Sequence, residues 1–142
     1  FRKIGFRVDA PPADSGITYG GRQRIDLRGD FDNNGSIDNL RYYLDSSTAT
    51  GLPNTNTRSL HRRFNGSDQV ISHCVTYCRF FYFDRYGMPL TSDPVPAPSL
   101  VRSVKVAINV ESTVPFRETT AQYVNLNPGV YWERAFTPQN LK

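Results

Sequence analysis

The chain has 142 residues, a formal net charge of +4 and a sequence pI of about 9.3. This length is typical of one domain, and no apolar stretch approaches the roughly 20 residues of a membrane-spanning helix. With 13% aromatic residues, ten Gly and ten Pro, the composition favours sheets joined by turns. The cationic residues are mostly arginines, which could serve phosphate recognition, but their spread along the chain favours a solvated basic surface.

The first predicted element lies at the N-terminus. Residues 1–6 have the pattern of the last turns of a helix, which Pro11 and Pro12 bring to an end. We therefore expect residues 1–10 to be the end of a helix. Residues 22–27 then alternate apolar and polar side chains, and this alternation predicts a strand that leads into an acidic turn.

The turn over residues 30–38 is the most informative motif. Asp30, Asp32 and Asn34 occupy alternate positions, and Gly35 stands where the chain must fold back. Ca²⁺ takes six to eight oxygen ligands, and this pattern directs several carboxylate and amide oxygens to one centre. The predicted ion is Ca²⁺, and its predicted ligands are Asp30, Asp32, Asn34, Ser36 and Asp38.

This turn is not a complete EF-hand. Arg41 occupies the twelfth position, where that motif requires a bidentate glutamate. Asp26 and Asp45, on the flanking strands, are candidates for the missing ligands. The alternative is a turn of Asp, Asn and Gly that is stabilised by its own side-chain hydrogen bonds and binds no ion.

Most of the remaining chain is predicted to form strands. Two segments alternate over most of their length, with apolar residues such as Leu40, Leu44, Val104 and Val106 on one face, as in half-buried antiparallel strands. The strands are predicted over residues 40–45, 59–64 (closed by a turn at 65–66), 78–86, 100–111 and, with weaker alternation, 122–136. Between them we expect a surface loop over residues 46–58 and a Pro-rich connector over residues 91–99.

The cysteines and histidines leave the redox state open and give no catalytic signature. Cys74 and Cys78 would have Cα atoms about 13 Å apart on a strand, too far for a disulfide, but about 6 Å apart on a helical turn. His61 and His73 lack the paired-cysteine spacing of a structural zinc site. The sequence has no common nucleophile, metalloprotease or phosphate-loop motif. We therefore expect no enzymatic activity.

In their order, these segments resemble the minor pilins and pseudopilins of bacterial type IV pili and type II secretion systems. The most similar groups are the PilW-like pilus-assembly proteins and the J-type minor pseudopilins. Two positions depart from the family pattern, since Gly5 replaces an N-terminal glutamate and Ala135 replaces an asparagine after the last arginine. The resemblance is carried by Phe1–Phe6, Ile25–Asp38, Leu40–Asp45 with Ser59–Arg63, Gln69–Gly87, Leu100–Ile108 and Val130–Arg134.

The resemblance implies a fold that is α+β and mainly β. It would be a single pilin-like head over residues 1–142, with antiparallel sheets and the stub of an N-terminal helix. The implied function is a structural subunit that helps initiate or cap a type IV pilus or a type II secretion pseudopilus. The implied location is the periplasm or a cell-surface filament, and the native full-length chain would be anchored in the inner membrane before assembly.

The resemblance also implies partners. These are other minor and major pilin or pseudopilin subunits. The alternative function is a tip adhesin or a DNA-capturing pilin. Such a protein would bind DNA or a surface ligand through arginines and tyrosines, including Arg62 and Arg63.

Overall fold

A single antiparallel sheet contains all the strands of the residues that the structure describes. The computed structural model describes residues 16–32, 34–46, 57–111 and 129–137. Across the sheet the strands follow the order β1-β2-β3-β4-β5-β7-β8, and β6 pairs with the end of β5. The strands are β1 (Gly16–Gly20), β2 (Arg24–Gly29), β3 (Asp38–Leu44), β4 (Arg58–Phe64), β5 (Ser67–Phe83), β6 (Pro89–Leu90), β7 (Ser103–Glu111) and β8 (Gly129–Phe136).

The predicted α+β fold class is wrong. The described residues form antiparallel strands and contain no α-helix, only one 3-10 turn, Pro98–Leu100. The physical reason is that apolar side chains recur with period two through these segments, which suits a pleated sheet with one buried face. The predicted helix stub, residues 1–10, lies outside the described residues.

No helix in the described part of the chain is long and apolar enough to cross a bilayer.

The sheet curls, so that the turn between β1 and β2 meets β5. The backbone N–H of Phe80 donates to the carbonyl of Arg22 at 2.8 Å, although β2 and β5 are not neighbours in the sheet. The Tyr82 hydroxyl donates to the carbonyl of Gly21 at 2.8 Å. The N–H of Val95 donates to the carbonyl of Gly20 at 2.7 Å, which brings the Pro-rich segment onto the same turn.

The core lies on the concave face of this curl. Because side chains alternate along a strand, residues two apart enter the core together, such as Ile25 and Leu27 on β2, Phe80 and Tyr82 on β5, and Val104 and Val106 on β7. Burial of this apolar surface is the main favourable contribution to folding. The buried cluster consists of Ile17, Ile25, Leu27, Leu40, Leu44, Leu60, Val75, Cys78, Phe80, Tyr82, Val95, Val101, Val104 and Val106.

Several predicted strands are confirmed, with shifted boundaries. The turn at Asn65 and Gly66 joins β4 and β5, and both residues have positive φ, 46° and 89°, as a two-residue type I′ hairpin requires. The last predicted strand is present as β8, although the part of that prediction before residue 129 lies outside the described residues. The strand predicted from Leu100 begins only at Ser103, because Leu100 belongs to the 3-10 turn and is exposed.

β5 is longer than the sequence indicated. The predicted strand began at Cys78, whereas β5 begins at Ser67 and has 17 residues. Two bulges interrupt this part of the strand, since the pairing of β4 with β5 shifts between His61↔Val70 and Leu60↔Ser72 and again between Leu60↔Ser72 and Arg58↔Val75. Cys74, inside the second of these bulges, has a φ of 60°. The extra residues interrupt the apolar alternation and hide the first half of the strand from a period-two search.

Candidate metal centre

The acidic turn connects β2 to β3, and this connection brings both of its ends together. Gly29 and Asp38 are paired residues of the two strands, so Asp38 lies beside the start of the turn, where Asp30 follows Gly29. In an antiparallel pair of strands, the Cα atoms of opposite residues lie about 5 Å apart. The carboxylate of Asp38, eight positions after Asp30 in sequence, therefore lies close to the carboxylates of Asp30 and Asp32.

The turn itself is folded by side-chain acceptors and one glycine. Asp30 accepts hydrogen bonds from the N–H groups of Asn34 at 3.0 Å and Gly35 at 2.9 Å. Asn34 accepts one from the N–H of Ser36 at 2.7 Å. Gly35 has a φ of 84°, a conformation that costs glycine little and other residues more. These bonds direct the backbone around the carboxylate of Asp30.

Three carboxylates meet in this turn. One oxygen from each of Asp30, Asp32 and Asp38 lies within 4.8 Å of the others. Asp30 and Asp38 are buried, with 3% and 2% exposure, while Asp32 is exposed. Asp30, Asp32 and Asp38 thus form a cluster that can hold a metal ion. Its donors are carboxylate oxygens, which suit a hard cation.

The electrostatics of the cluster favour a cation. Two unit charges 4 Å apart repel by about 1 kcal/mol in water and about 4 kcal/mol near a protein surface. Within the described segments, no Lys, Arg or His side chain forms an ion pair with Asp30, Asp32 or Asp38. A bound divalent cation would supply the opposite charge.

Asn65 is the residue of this site that the sequence interpretation missed. Its amide nitrogen donates to Oδ1 of Asp38 at 2.7 Å, and its amide oxygen accepts from the N–H of Asn39 at 2.9 Å. The second oxygen of Asp38 accepts from the N–H of Phe31 at 2.9 Å. The signal in the sequence was the hairpin turn at residues 65–66, which the pairing of β3 with β4 places beside the acidic turn.

The structure brings some of the predicted site residues together and places others elsewhere. It brings Asp30, Asp32 and Asp38 together, and it leaves Ser36 exposed, with its backbone N–H bonded to Asn34. The two additional candidates are elsewhere. Asp26 is held by Arg24 and Arg41, at 2.5 Å and 2.9 Å, and Asp45 lies past the opposite end of β3. Neither can complete the coordination of an ion at Asp30, so this part of the prediction is wrong.

The thiols and histidines form no second metal cluster in the described part of the chain. Cys74 and Cys78 lie on β5 and are free and buried, which settles the two alternatives in favour of free thiols. Burial raises the pKa of the Cys78 thiol to about 11. His61 contacts Asp68 at 2.9 Å, whereas His73 contacts Ser59 at 3.0 Å.

The arginine pair that the DNA-binding alternative used does not form one patch. Arg62 and Arg63 are consecutive on β4, so their side chains leave the sheet on opposite faces. The Arg62 guanidinium lies 5.2 Å from the ring centroid of Phe64, and Arg63 donates to the carbonyl of Gly66. DNA binding stays a prediction, and this pair gives it no common surface.

Comparisons with known proteins give no relative. No protein-family model and no curated protein matches the sequence, and no solved structure matches the fold. A function for this protein is therefore inferred from its own residues and from the resemblance in segment order.

Proposed function

We propose that this protein is a non-enzymatic structural subunit whose β2–β3 turn binds Ca²⁺. The observation that carries the metal assignment is the meeting of Asp30, Asp32 and Asp38 within 4.8 Å. Asn34, through its side chain or backbone, and water would complete the six to eight oxygens that Ca²⁺ takes. Ca²⁺ is favoured over Mg²⁺ because an irregular turn with mixed donors suits its flexible coordination better than a strict octahedron.

The ion would act on the order of the turn. It would offset the mutual repulsion of the carboxylates and fix the turn against the hairpin turn that contains Asn65. The two turns would then present one rigid end of the sheet. A rigid surface loses less conformational entropy on binding a neighbour, so metal binding would promote docking.

The docking partners in this proposal are other subunits of a bacterial filament. The order of segments that resembles minor pilins and pseudopilins supports this role, with assembly in the periplasm and at the cell surface. Exposed apolar side chains on β8 supply a further argument, since Val130 and Trp132 leave the strand on the same face and are 71% and 44% exposed. Clustered exposed apolar side chains are typical of interaction surfaces.

Thermal unfolding with Ca²⁺ and with a chelator tests the metal assignment. Selective binding to the native state at a hundredfold excess over Kd stabilises it by about 2.7 kcal/mol, on the order of 5–10 °C in Tm for a domain of this size. We expect this shift in the native sequence and its loss in Asp30→Asn. Asp84→Asn is the matched control, because Asp84 also accepts backbone N–H groups in a turn but lies outside the cluster.

Gene deletion tests the filament role separately. We expect cells without this protein to assemble fewer surface filaments or to lose secretion, and a plasmid copy to restore either function. Unchanged filament number and unchanged secretion would contradict the role, whatever the result of the Ca²⁺ experiment.

A further inference from the structure

A groove of about 700 Å³ lies at the end of β3 that is opposite the acidic turn. It opens where β5 extends past β4, because Arg58 pairs with Val75 and the next residues of β5 face the turn after β1. Besides Asp45 and Asp93, three arginines and three tyrosines line it. They are Tyr19, Arg22, Arg24, Tyr43, Tyr77 and Arg79.

Arg79 is the side chain that points to a ligand. Its Nε is buried and has no hydrogen-bond partner. Its guanidinium lies 5.0 Å from the ring centroid of Phe81, and no carboxylate of the described residues forms an ion pair with it. Buried donors are almost always paired, so the Arg79 guanidinium lacks an acceptor among the described residues. Because Arg79 also lines the groove, a ligand there would supply one.

The other two arginines add positive charge to the groove. Arg24 and Arg41 both form ion pairs with the single carboxylate of Asp26. One of these two positive charges is therefore not neutralised. Arg22 forms an ion pair of 3.4 Å with Asp93, in which both side chains are exposed. An exposed pair of this kind is weak and yields readily to a competing anion.

Tyr77 supplies an open aromatic face. It is 40% exposed and lies two residues before Arg79, so both side chains leave β5 on the same face. The other tyrosines are engaged, since Arg24 lies 4.5 Å from the ring centroid of Tyr19 and His61 stacks on Tyr43 at 5.0 Å. Tyr77 is therefore the ring available to a planar ligand.

We propose that this groove binds a small organic phosphate that carries a planar ring. Arg79 and Arg22 bind the phosphate oxygens, and Tyr77 stacks on the ring. Guanidinium groups match phosphate in geometry and stay charged at all physiological pH values. The volume of the groove lies within the range of about 300–1,000 Å³ that is usual for small-molecule sites. This activity is independent of the Ca²⁺ site and of the filament role.

Calorimetric titration with phenyl phosphate at low ionic strength tests the proposal. We expect Arg79→Gln to weaken binding about tenfold and Arg85→Gln to leave it within twofold. Arg85 is the control for net charge, because it lies in the turn after β5 and its guanidinium contacts Tyr86 outside the groove. Tyr77→Ala should weaken the binding of phenyl phosphate and leave the binding of inorganic phosphate unchanged. Circular dichroism checks that each variant is folded.

Three results would overturn the proposal. One is the absence of phenyl phosphate binding to the native sequence at millimolar concentration. Another is an equal loss in Arg79→Gln and Arg85→Gln, which would indicate a general charge effect. The third is binding of a thymidine oligonucleotide without binding of phenyl phosphate, which would make the groove part of a single-stranded DNA surface instead.

Discussion

The side-chain amide of Asn65 donates a 2.7 Å hydrogen bond to the buried carboxylate of Asp38. This bond joins two turns that are 27 residues apart, the hairpin turn of β4 and β5 and the acidic turn of β2 and β3. Asn65 has a φ of 46°, a left-handed conformation that Asn and Gly adopt more readily than other residues. Asparagine therefore stabilises the hairpin turn through its backbone conformation and the carboxylate cluster through its amide.

Asn65→Gly separates these two contributions. Glycine keeps the left-handed conformation but removes the donor to Asp38 and the acceptor for the N–H of Asn39. We expect the free energy of unfolding in urea to fall by about 1–3 kcal/mol, since a buried acceptor loses its partner. Asn65→Ala should lose about 1 kcal/mol more because of its backbone conformation. Stability equal to that of the native sequence in Asn65→Gly would show that the bond contributes nothing.

The Tyr82 hydroxyl closes the curl of the sheet. It donates to the carbonyl of Gly21 at 2.8 Å and approaches that of Arg24 at 3.3 Å. Tyr82→Phe keeps the buried ring but leaves these carbonyls without this donor, so we expect a loss of about 1–2 kcal/mol in urea unfolding. Tyr86→Phe, at a ring that is 72% exposed, should change stability by less than about 0.5 kcal/mol. Equal effects of the two substitutions would contradict the role of Tyr82.

Asp26 makes the stability of the fold depend on pH in the acidic range. Burial raises its pKa, but hydrogen bonds from Arg24 and Arg41 outweigh burial, and the net pKa lies below the ordinary value. Its contribution is therefore present above the unfolded pKa of about 3.9 and is lost as pH falls through the lower folded pKa. We expect Asp26→Asn to lose about 1–3 kcal/mol at pH 7 and to flatten the decline below about pH 4.

The control for this experiment is Asp93→Asn. Its carboxylate forms an exposed ion pair with Arg22, so the loss at pH 7 should stay below about 1 kcal/mol. The free energy of unfolding of Asp26→Asn and of the native sequence is measured in urea between pH 2 and 7. A constant difference between the two proteins over this range would show that Asp26 does not contribute to the loss of stability in acid.

Cys78 makes the stability of the fold depend on pH in the basic range. Burial raises its pKa to about 11, above the ordinary value of 9.0, so the native state resists losing this proton. Stability is therefore complete below about pH 9 and declines towards pH 11. Burial also raises the pKa of Tyr82, which adds a decline in the same direction.

Cys78→Ala isolates the thiol. The difference in unfolding free energy between native sequence and variant should shrink as pH rises from about 8 to about 10.5, because only the native sequence carries the titrating thiol. A disulfide-exchange reagent at pH 8 should also label neither thiol in the folded protein and both in urea, since Cys74 and Cys78 are buried. Rapid labelling of the folded protein would contradict the burial of the thiols.

The sequence predicted the strands better than the fold class. Period-two alternation identified the strands that contain Leu40 and Val104 because each buries one face. The two bulges between β4 and β5 concealed the first half of β5, and no local pattern indicates bulges of this kind. The helical component was predicted from the resemblance and from the stop signal at Pro11 and Pro12, and residues 1–10 lie outside the described residues.

The candidate metal site was predicted in part for a similar reason. Alternating acidic residues before Gly35 are a local signal, and the structure brings Asp30 and Asp32 together with Asp38. Asn65 contacts the site only because β3 pairs with both β2 and β4. Such a contact depends on strand register, which the sequence of the turn does not contain.

A crystal of the native sequence grown with millimolar Ca²⁺ tests the central claim most directly. The quantity to measure is the anomalous difference density at the β2–β3 turn. We predict a peak about 2.3–2.6 Å from a carboxylate oxygen of Asp30 and of Asp32, with Asp38 bound directly or through one water. Clear density for the turn without such a peak would contradict the account.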